Sequence, residues 1–594
     1  DIGWSVDGND IYFVGKRDLK ADFSDIFKIS LHGGEAEVVY QAKSAIKSIT
    51  PSPDGKTIAF LAMDPAPADD KAVAEKGFKA QVYEESVKPV RVWLLDLESG
   101  TAEAQDLKGS ASALEWAPDS SHYAVALAPS ALIDDEYMNR DIFVVSAKNA
   151  KIRNQLDLVG KLGMFRWSPD GERIAWIGAA DINDPSAGRL YTASASGGEH
   201  IEVVPGYMGH INDFYWQDAG SIAWNGARGV WTETGKAFLD NIQPAGDAPD
   251  SGVIIRSLDA HPGQQLAAAV ADSPSHPTEV FLLKAGSVPI RLTRSNPVLE
   301  ERELARQEVV RYQARDGQEL EMIVVHPFKK PRRRGSPLVL VIHGGPEAHY
   351  SNGWMSRYAN PAQALAGEGF LVAFPNYRGS TGRGVEFSKM GQHAYAGPEF
   401  DDFVDAKTHL VEAGLADPDR TGVTGGSYGG FASMWAASAL TEHFAAAVAF
   451  VGISDQISKF GTTDIPTEMY NVHARAWPWE NWQWMLERSP IYYAGQVETP
   501  LLIMHGAEDP RVHPSQSMEM YRHVKVRTDT PVRLVFYPGE GHGNRRVAAQ
   551  YDYGIRMTRW MTHYVKGDGG EPPPHEIDHA TRLKEAAKAR ANGE

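Results

Sequence analysis

A chain of 594 residues is too long to fold around one hydrophobic core, so two or more domains are expected. Its composition, 42% hydrophobic and 10% aromatic, is that of a folded globular protein, and no window approaches the ~20 uninterrupted apolar residues of a membrane helix, so a soluble protein without a membrane partner is expected. With 59 Lys and Arg against 77 Asp and Glu, a formal charge of −18 argues against nucleic acid as a partner, and the lack of cysteine excludes disulfide and thiolate chemistry.

The first residues, Asp1 to Gly8, lack a basic start followed by an apolar run and so are not a signal peptide. They look like the middle of a repeat, and further N-terminal sequence is expected ahead of them. A cysteine-free chain suits a reducing or an oxidising compartment. The expectation is periplasmic or secreted if a signal peptide has been removed, and cytoplasmic otherwise.

A turn signature then recurs: Trp4-Ser-Val-Asp-Gly8, Ser52-Pro-Asp-Gly55, Trp116-Ala-Pro-Asp119, Trp167-Ser-Pro-Asp-Gly171, Trp216-Gln-Asp-Ala-Gly220 and, more weakly, Asp259-Ala-His-Pro-Gly263. Short strands follow, such as Thr57 to Ala62 and Arg173 to Ile177. The Asp positions 7, 54, 119, 170 and 218 are separated by 47, 65, 51 and 48 residues. A period near ~40–50 residues with several short strands per unit predicts a β-propeller. Six units are visible and seven blades are expected, the first of them incomplete. The 65-residue spacing marks an insertion from Asp64 to Pro89 that contains Tyr83, Glu84 and Glu85.

After a polar connector, strands alternate with helical patterns: Pro337 to Ile342, a helix near 361–368, Phe370 to Phe374, a helix over 401–413, Ala445 to Phe450, Pro500 to Met504, Val532 to Phe536 and a closing helix over 547–565. Apolar runs separated by helices predict a largely parallel sheet covered on both faces. Within it, Arg420-Thr-Gly-Val-Thr-Gly-Gly-Ser427-Tyr-Gly-Gly430 reads as a strand, a glycine-lined corner and the start of a helix. Such an elbow presents a serine hydroxyl at the sheet's end, above a helix N-terminus that favours negative charge. By itself the pattern would equally suit a glycine-rich turn; the strand before it and the helix after it point to a nucleophile.

A serine hydroxyl is a poor nucleophile near neutral pH and needs a base, which in turn needs a carboxylate to orient it. His505-Gly-Ala-Glu-Asp509 and Gly539-Glu-Gly-His542 both lie in loops after strands, and the order Ser427, Asp509, His542 is that of an α/β-hydrolase. His542 alone among 20 histidines sits in a glycine-rich loop after the last strand. His505, His513 and His563 compete with it, and Glu508 and Asp455 compete with Asp509. For the oxyanion hole, the N–H of Tyr428 and one from His343-Gly-Gly-Pro346 are expected, with Gly345 chosen and Gly344 the fallback.

These stretches, together with Asn376-Tyr-Arg-Gly-Ser-Thr-Gly382 and Ser489-Pro490, resemble the prolyl oligopeptidase family of serine peptidases, in the branch of acylaminoacyl peptidases and dipeptidyl peptidases. The resemblance covers the second half of the chain. It implies a propeller capping an α/β-hydrolase site so that only short or unfolded peptides enter, and cleavage after a residue held in a hydrophobic pocket. It also implies that Arg511 holds a substrate carbonyl, unless it forms a structural ion pair, and that Glu84 and Glu85 recognise a free amine, unless they are merely solvated. The family's usual N-terminal segment is not seen.

The expected division is therefore 1–295 propeller, 296–310 connector, 311–566 α/β-hydrolase domain and 567–594 tail. The chemistry calls for no cofactor and no metal; His575-Glu-Ile-Asp-His579 fits a zinc-protease pattern only on paper, and Lys329 to Arg334 reads as a solvated loop. The expected function is hydrolysis of short peptides through an acyl-enzyme. The alternatives are a carboxylesterase on the same scaffold and, more remotely, a propeller scaffold without catalysis. Self-association into a homo-oligomer is left open.

Overall fold

The computed structural model describes residues 2–18, 20–244, 252–261, 266–284, 287–329 and 334–591. Of the stretches singled out above, Asp1, Pro262 and Gly263, residues 330–333 and the last three residues of the expected tail, 592–594, lie outside these. The first half forms a β-propeller of consecutive antiparallel meanders spanning 2–40, 46–104, 110–156, 162–202, 210–238 and 254–291. Five have four strands and the fifth has three among the described residues. Six sheets are thus present there, against the seven expected from the repeat.

The repeat signature has a physical basis in these blades. The Ser52 hydroxyl donates to Asp54 Oδ1 at 2.6 Å and accepts from the Thr57 N–H at 3.0 Å, while Asp54 accepts from the Lys56 N–H at 3.1 Å. Ser168, Asp170, Arg173 and Glu172 repeat the arrangement. Each Ser-x-Asp therefore closes a hairpin by satisfying turn N–H groups locally. The signature tryptophans connect blades: Nε1 of Trp116 donates to the Thr50 carbonyl at 2.9 Å, that of Trp167 to Glu115 at 3.1 Å and that of Trp216 to Arg166 at 3.2 Å. Each acceptor lies at the matching place in the preceding blade, so one residue type staples the array in series.

The second half is built on one eight-stranded sheet of strands β1 (Gln307–Gln313), β2 (Glu319–Val325), β3 (Ser336–Ile342), β4 (Leu371–Asn376), β5 (Ala416–Gly426), β6 (Ala446–Phe450), β7 (Leu501–Gly506) and β8 (Val532–Tyr537). Their spatial order is β1-β2-β4-β3-β5-β6-β7-β8; β1 and β2 are antiparallel to their neighbours and the rest are parallel. This is the α/β-hydrolase fold. Alternate residues of β3 face opposite cores, Leu338, Leu340 and Ile342 on one side, Val339 and Val341 on the other. Helices α1 (Ala362–Gly367), α2 (Pro398–Glu412), α3 (Tyr428–Ser438), α4 (Gln456–Phe460), α5 (Ser515–Arg527) and α6 (Val547–Met561) follow in chain order. The faces of α2, α3 and α5 cover the first core, and α1 and α6 the second. Helix α2 begins at Pro398, three residues before the predicted start, because proline is well suited to the first helical turn.

The halves interlock through specific bonds. Asp134, on the short propeller helix Ile133–Met138, accepts from the N–H groups of Thr467 and Glu468 at 2.7 and 2.9 Å. The Gly229 N–H donates to the Gly382 carbonyl at 2.6 Å, and Asp272 accepts from the Trp354 N–H at 2.9 Å.

Replacing Trp167 by Phe keeps an aromatic ring but removes the Nε1–H that bonds the Glu115 carbonyl, along with part of the indole's packing. A loss of about 1 kcal/mol is expected, seen as an unfolding midpoint lowered by about 2 °C in calorimetry. Trp4→Phe is the control and is expected to have no effect, because Trp4 is 57% exposed.

Candidate active site

The corner between β5 and α3 holds Ser427 at φ 60° and ψ −120°, a conformation that a residue with a side chain adopts only when its surroundings compel it. The Ser427 N–H donates to the Phe450 carbonyl at 3.0 Å, and its own carbonyl accepts from Phe431 at 2.9 Å. A Cβ on Gly425 or Gly429 would run into the Ile342 carbonyl oxygen of β3. The glycines therefore let elbow and sheet approach closely, and the hydroxyl emerges at the strands' carboxyl ends.

There it meets the two side chains expected from later loops. With the imidazole proton on Nδ1, Ser427 Oγ donates to His542 Nε2 at 2.9 Å and His542 Nδ1 donates to Asp509 Oδ2 at 2.7 Å. Asp509 Oδ1 accepts from the N–H groups of Arg511 and Val512 at 2.9 and 3.1 Å. Burial works to raise the Asp509 pKa, but hydrogen bonds from His505 and His542 outweigh it and hold the carboxyl at about 2. His505, fully buried, thus stands behind Asp509, with its Nε2 2.7 Å from the Val512 carbonyl and 3.3 Å from Asp509. Of the other competitors, His513 bonds Ser515 and His563 contacts the Glu571 carbonyl. Glu508 is exposed, and Asp455 caps the N-terminus of α4.

Tyr428 opens α3, so its N–H points out of the helix end beside Ser427. Gly345 lines the same cavity at φ +115°. Neither N–H donates to another group among the described residues. The loop carrying Gly345 is held by His343, whose ring stacks on Tyr377 at 4.3 Å and lies 2.8 Å from Ser380 Oγ. Burial lowers the His343 pKa to about 4, so the ring is neutral at physiological pH.

Arg511 borders the cavity and is engaged: Nε donates to Asp464 at 2.6 Å, and Nη1 to the hydroxyl of Tyr137 on the propeller at 3.1 Å. Glu84 and Glu85 are exposed on the loop after the helix Ala68–Glu75 and do not line the cavity. His579 bonds Asp552 at 2.9 Å. No local signal marks Lys161, which reaches from the propeller to Glu347 at 3.2 Å and Glu468 at 2.6 Å. Glu347, Glu468 and His473 converge as metal ligands do, but the Lys161 ammonium already pairs with both carboxylates, and no metal site is assigned. Burial alone would raise the Glu347 pKa; His473 and Lys161 instead draw it well below the usual value.

A sequence profile described as the prolyl oligopeptidase family matches residues 356–568, which span the elbow and both loops. The second half of this chain is thus similar to the prolyl oligopeptidase family. The dipeptidyl aminopeptidase BIII of Pseudoxanthomonas mexicana is 33% identical over 271 residues, covering 43% of this chain and 38% of that protein. The acylamino-acid-releasing enzyme of Rattus norvegicus is 34% identical over 266 residues, covering 43% and 35%. The chain thus spans well under half the length of these curated relatives. The acylaminoacyl peptidase of Pyrococcus horikoshii, at 19% identity, superposes with a TM-score of 0.78 over 98% of this chain and 90% of that one, a likeness of fold.

Beneath Tyr428, its hydroxyl donates to the buried Glu399 at 3.1 Å, and burial raises the Glu399 pKa from 4.5 to about 7. A carboxyl with a raised folded pKa binds its proton more tightly in the native state. Its contribution is intact below about pH 4.5 and declines as pH rises to about 7, a loss on the order of 3 kcal/mol. Glu399→Gln is expected to remove that decline, so denaturant titrations at pH 5 and pH 8.5 should differ less for the variant than for the wild type.

Proposed function

We propose that this protein is a serine peptidase that hydrolyses short peptides through an acyl-enzyme, with the propeller restricting entry. The observation that carries the reading is the continuous chain from Ser427 Oγ through the His542 ring to Asp509, at 2.9 and 2.7 Å. Ser427 attacks the scissile carbonyl while His542 Nε2 takes its proton. Asp509 holds the ring in the tautomer that leaves Nε2 free and stabilises the imidazolium. The oxyanion that forms is met by the N–H groups of Tyr428 and Gly345. The tetrahedral intermediate collapses as His542 returns its proton to the departing amine, and water, deprotonated by the same ring, releases the acid product.

The peptide class is supported by relatives named dipeptidyl aminopeptidase and acylamino-acid-releasing enzyme, and by a family profile that falls on the half holding this constellation. The bonds of Asp134, Lys161 and Arg511 across the two halves support restricted entry, since they seat the propeller over the cavity. Arg511 is read as a structural ion pair that shapes the cavity wall.

A fluorophosphonate probe is expected to label the wild type and not Ser427→Ala, with peptide 4-nitroanilide turnover in the variant reduced by on the order of 10⁶-fold. Asp509→Asn, which disturbs the tautomer and leaves the nucleophile, should lower kcat by roughly 10³–10⁴-fold. Turnover of nitrophenyl esters without turnover of peptide nitroanilides would replace the peptidase reading with an esterase one.

A further inference from the structure

The cavity that opens beside Ser427, about 320 Å³, is lined by Tyr428 and Ile453 together with Lys459, Glu468 and His473. The family resemblance implies an apolar pocket for the residue preceding the scissile bond, and Lys459 does not fit that description. It projects from α4 with only 3% of its surface exposed, lines the cavity, and makes no ion pair or side-chain hydrogen bond among the described residues.

The nearby carboxylates already have cationic partners, and Glu468 Oε2, which has no hydrogen-bond partner among the described residues, makes no ion pair with Lys459. Glu347 and Glu468 share Lys161, Glu347 also bonds His473 at 3.0 Å, and Asp464 is held by Arg511. An ammonium has three N–H donors and no acceptor, and burying it without an acceptor is costly. Burial pulls the Lys459 pKa down to about 8, with Glu468 opposing, so the group is still mostly protonated at neutral pH. What it lacks is an anionic acceptor on the cavity side, and the substrate is the remaining source.

We propose that Lys459 determines specificity, and that the peptide residue whose carbonyl Ser427 attacks is acidic, its carboxylate entering the cavity to pair with the Lys459 ammonium. That residue's Cα is bonded to the attacked carbon, so its side chain is the one that reaches the wall beside Oγ. The assignment rests on the acyl-enzyme reading above and narrows its substrate class to peptides cleaved after Glu or Asp.

The test measures kcat/KM for dipeptidyl 4-nitroanilides, with blocked and free N-termini, carrying Glu, Gln, Leu or Lys before the scissile bond. The wild type is expected to favour Glu over both Gln and Leu by about tenfold or more. Lys459→Gln should abolish the Glu-over-Gln preference, Lys459→Arg should keep it and Lys459→Glu should shift it towards Lys. In each variant, labelling of Ser427 by the fluorophosphonate checks that the nucleophile is intact, while the ratio of Glu to Gln turnover reads the role of Lys459. Equal or better turnover of Leu than Glu by the wild type overturns the proposal without needing any variant to fold, as does a Glu preference that survives Lys459→Gln. Loss of labelling in the wild type would instead strike the acyl-enzyme reading, so the two failures are distinct.

Discussion

The close approach of the β5–α3 elbow to the end of β3 is the constraint on which the site depends. Only residues without a Cβ can stand at 425 and 429, because the Ile342 carbonyl occupies the space a side chain would need. That contact forces the chain to turn within one residue, and Ser427 is carried into a left-handed conformation that its own side chain disfavours. The cost is met by the buried parallel strands on either side, whose residues pack against both helical layers. A rigid sheet thus fixes the hydroxyl's position, and the loops after β7 and β8 need only bring Asp509 and His542 to it.

The second layer of organisation is electrostatic and belongs to both halves of the molecule. Lys161 leaves the propeller to sit between two buried carboxylates of the hydrolase domain, and burial works against its ammonium while Glu468 and Glu347 more than restore it. Removing one partner from such a set strands the others in a low dielectric, which costs more than the pair itself contributes. The same holds for Arg511, clasped by Asp464 and lying 4.8 Å from the Tyr137 ring centre. The propeller is therefore part of the cavity wall, and its docking sets the charge balance next to Ser427.

Much of this was legible in the chain because the relevant signals are local. The elbow announces itself through glycines at fixed offsets, the loops of Asp509 and His542 through their position after apolar strands, and the blades through Ser-x-Asp turns whose hydrogen bonds close within five residues. What was not legible depends on residues far apart in sequence. Nothing near Lys161 marks it as the partner of Glu347, 186 positions away, and nothing in the five-residue helix α4 marks Lys459 as cavity-facing. His505 read as a rival to His542, yet its buried ring braces Asp509, a role set by the packing of the end of β7 against α5 through Ser517. Glu84 and Glu85 had a motif-like spacing but sit exposed, since the insertion that bears them does not lead to the cavity.

Polar groups gather around that cavity in a way that an apolar pocket would not require. Both side-chain polar atoms of Gln456, the hydroxyl of Tyr395 and Oε2 of Glu468 are buried without a hydrogen-bond partner among the described residues. Each such group costs on the order of 1–3 kcal/mol against a satisfied one, and a fold selected for stability alone would have replaced them with aliphatic side chains. Tyr395 and Glu468 border the cavity, and Gln456 lies three residues before Lys459 on the same helix face. Polar groups left unpartnered at or beside the cavity next to the serine are expected where a binding surface is built for polar contacts that only a ligand completes.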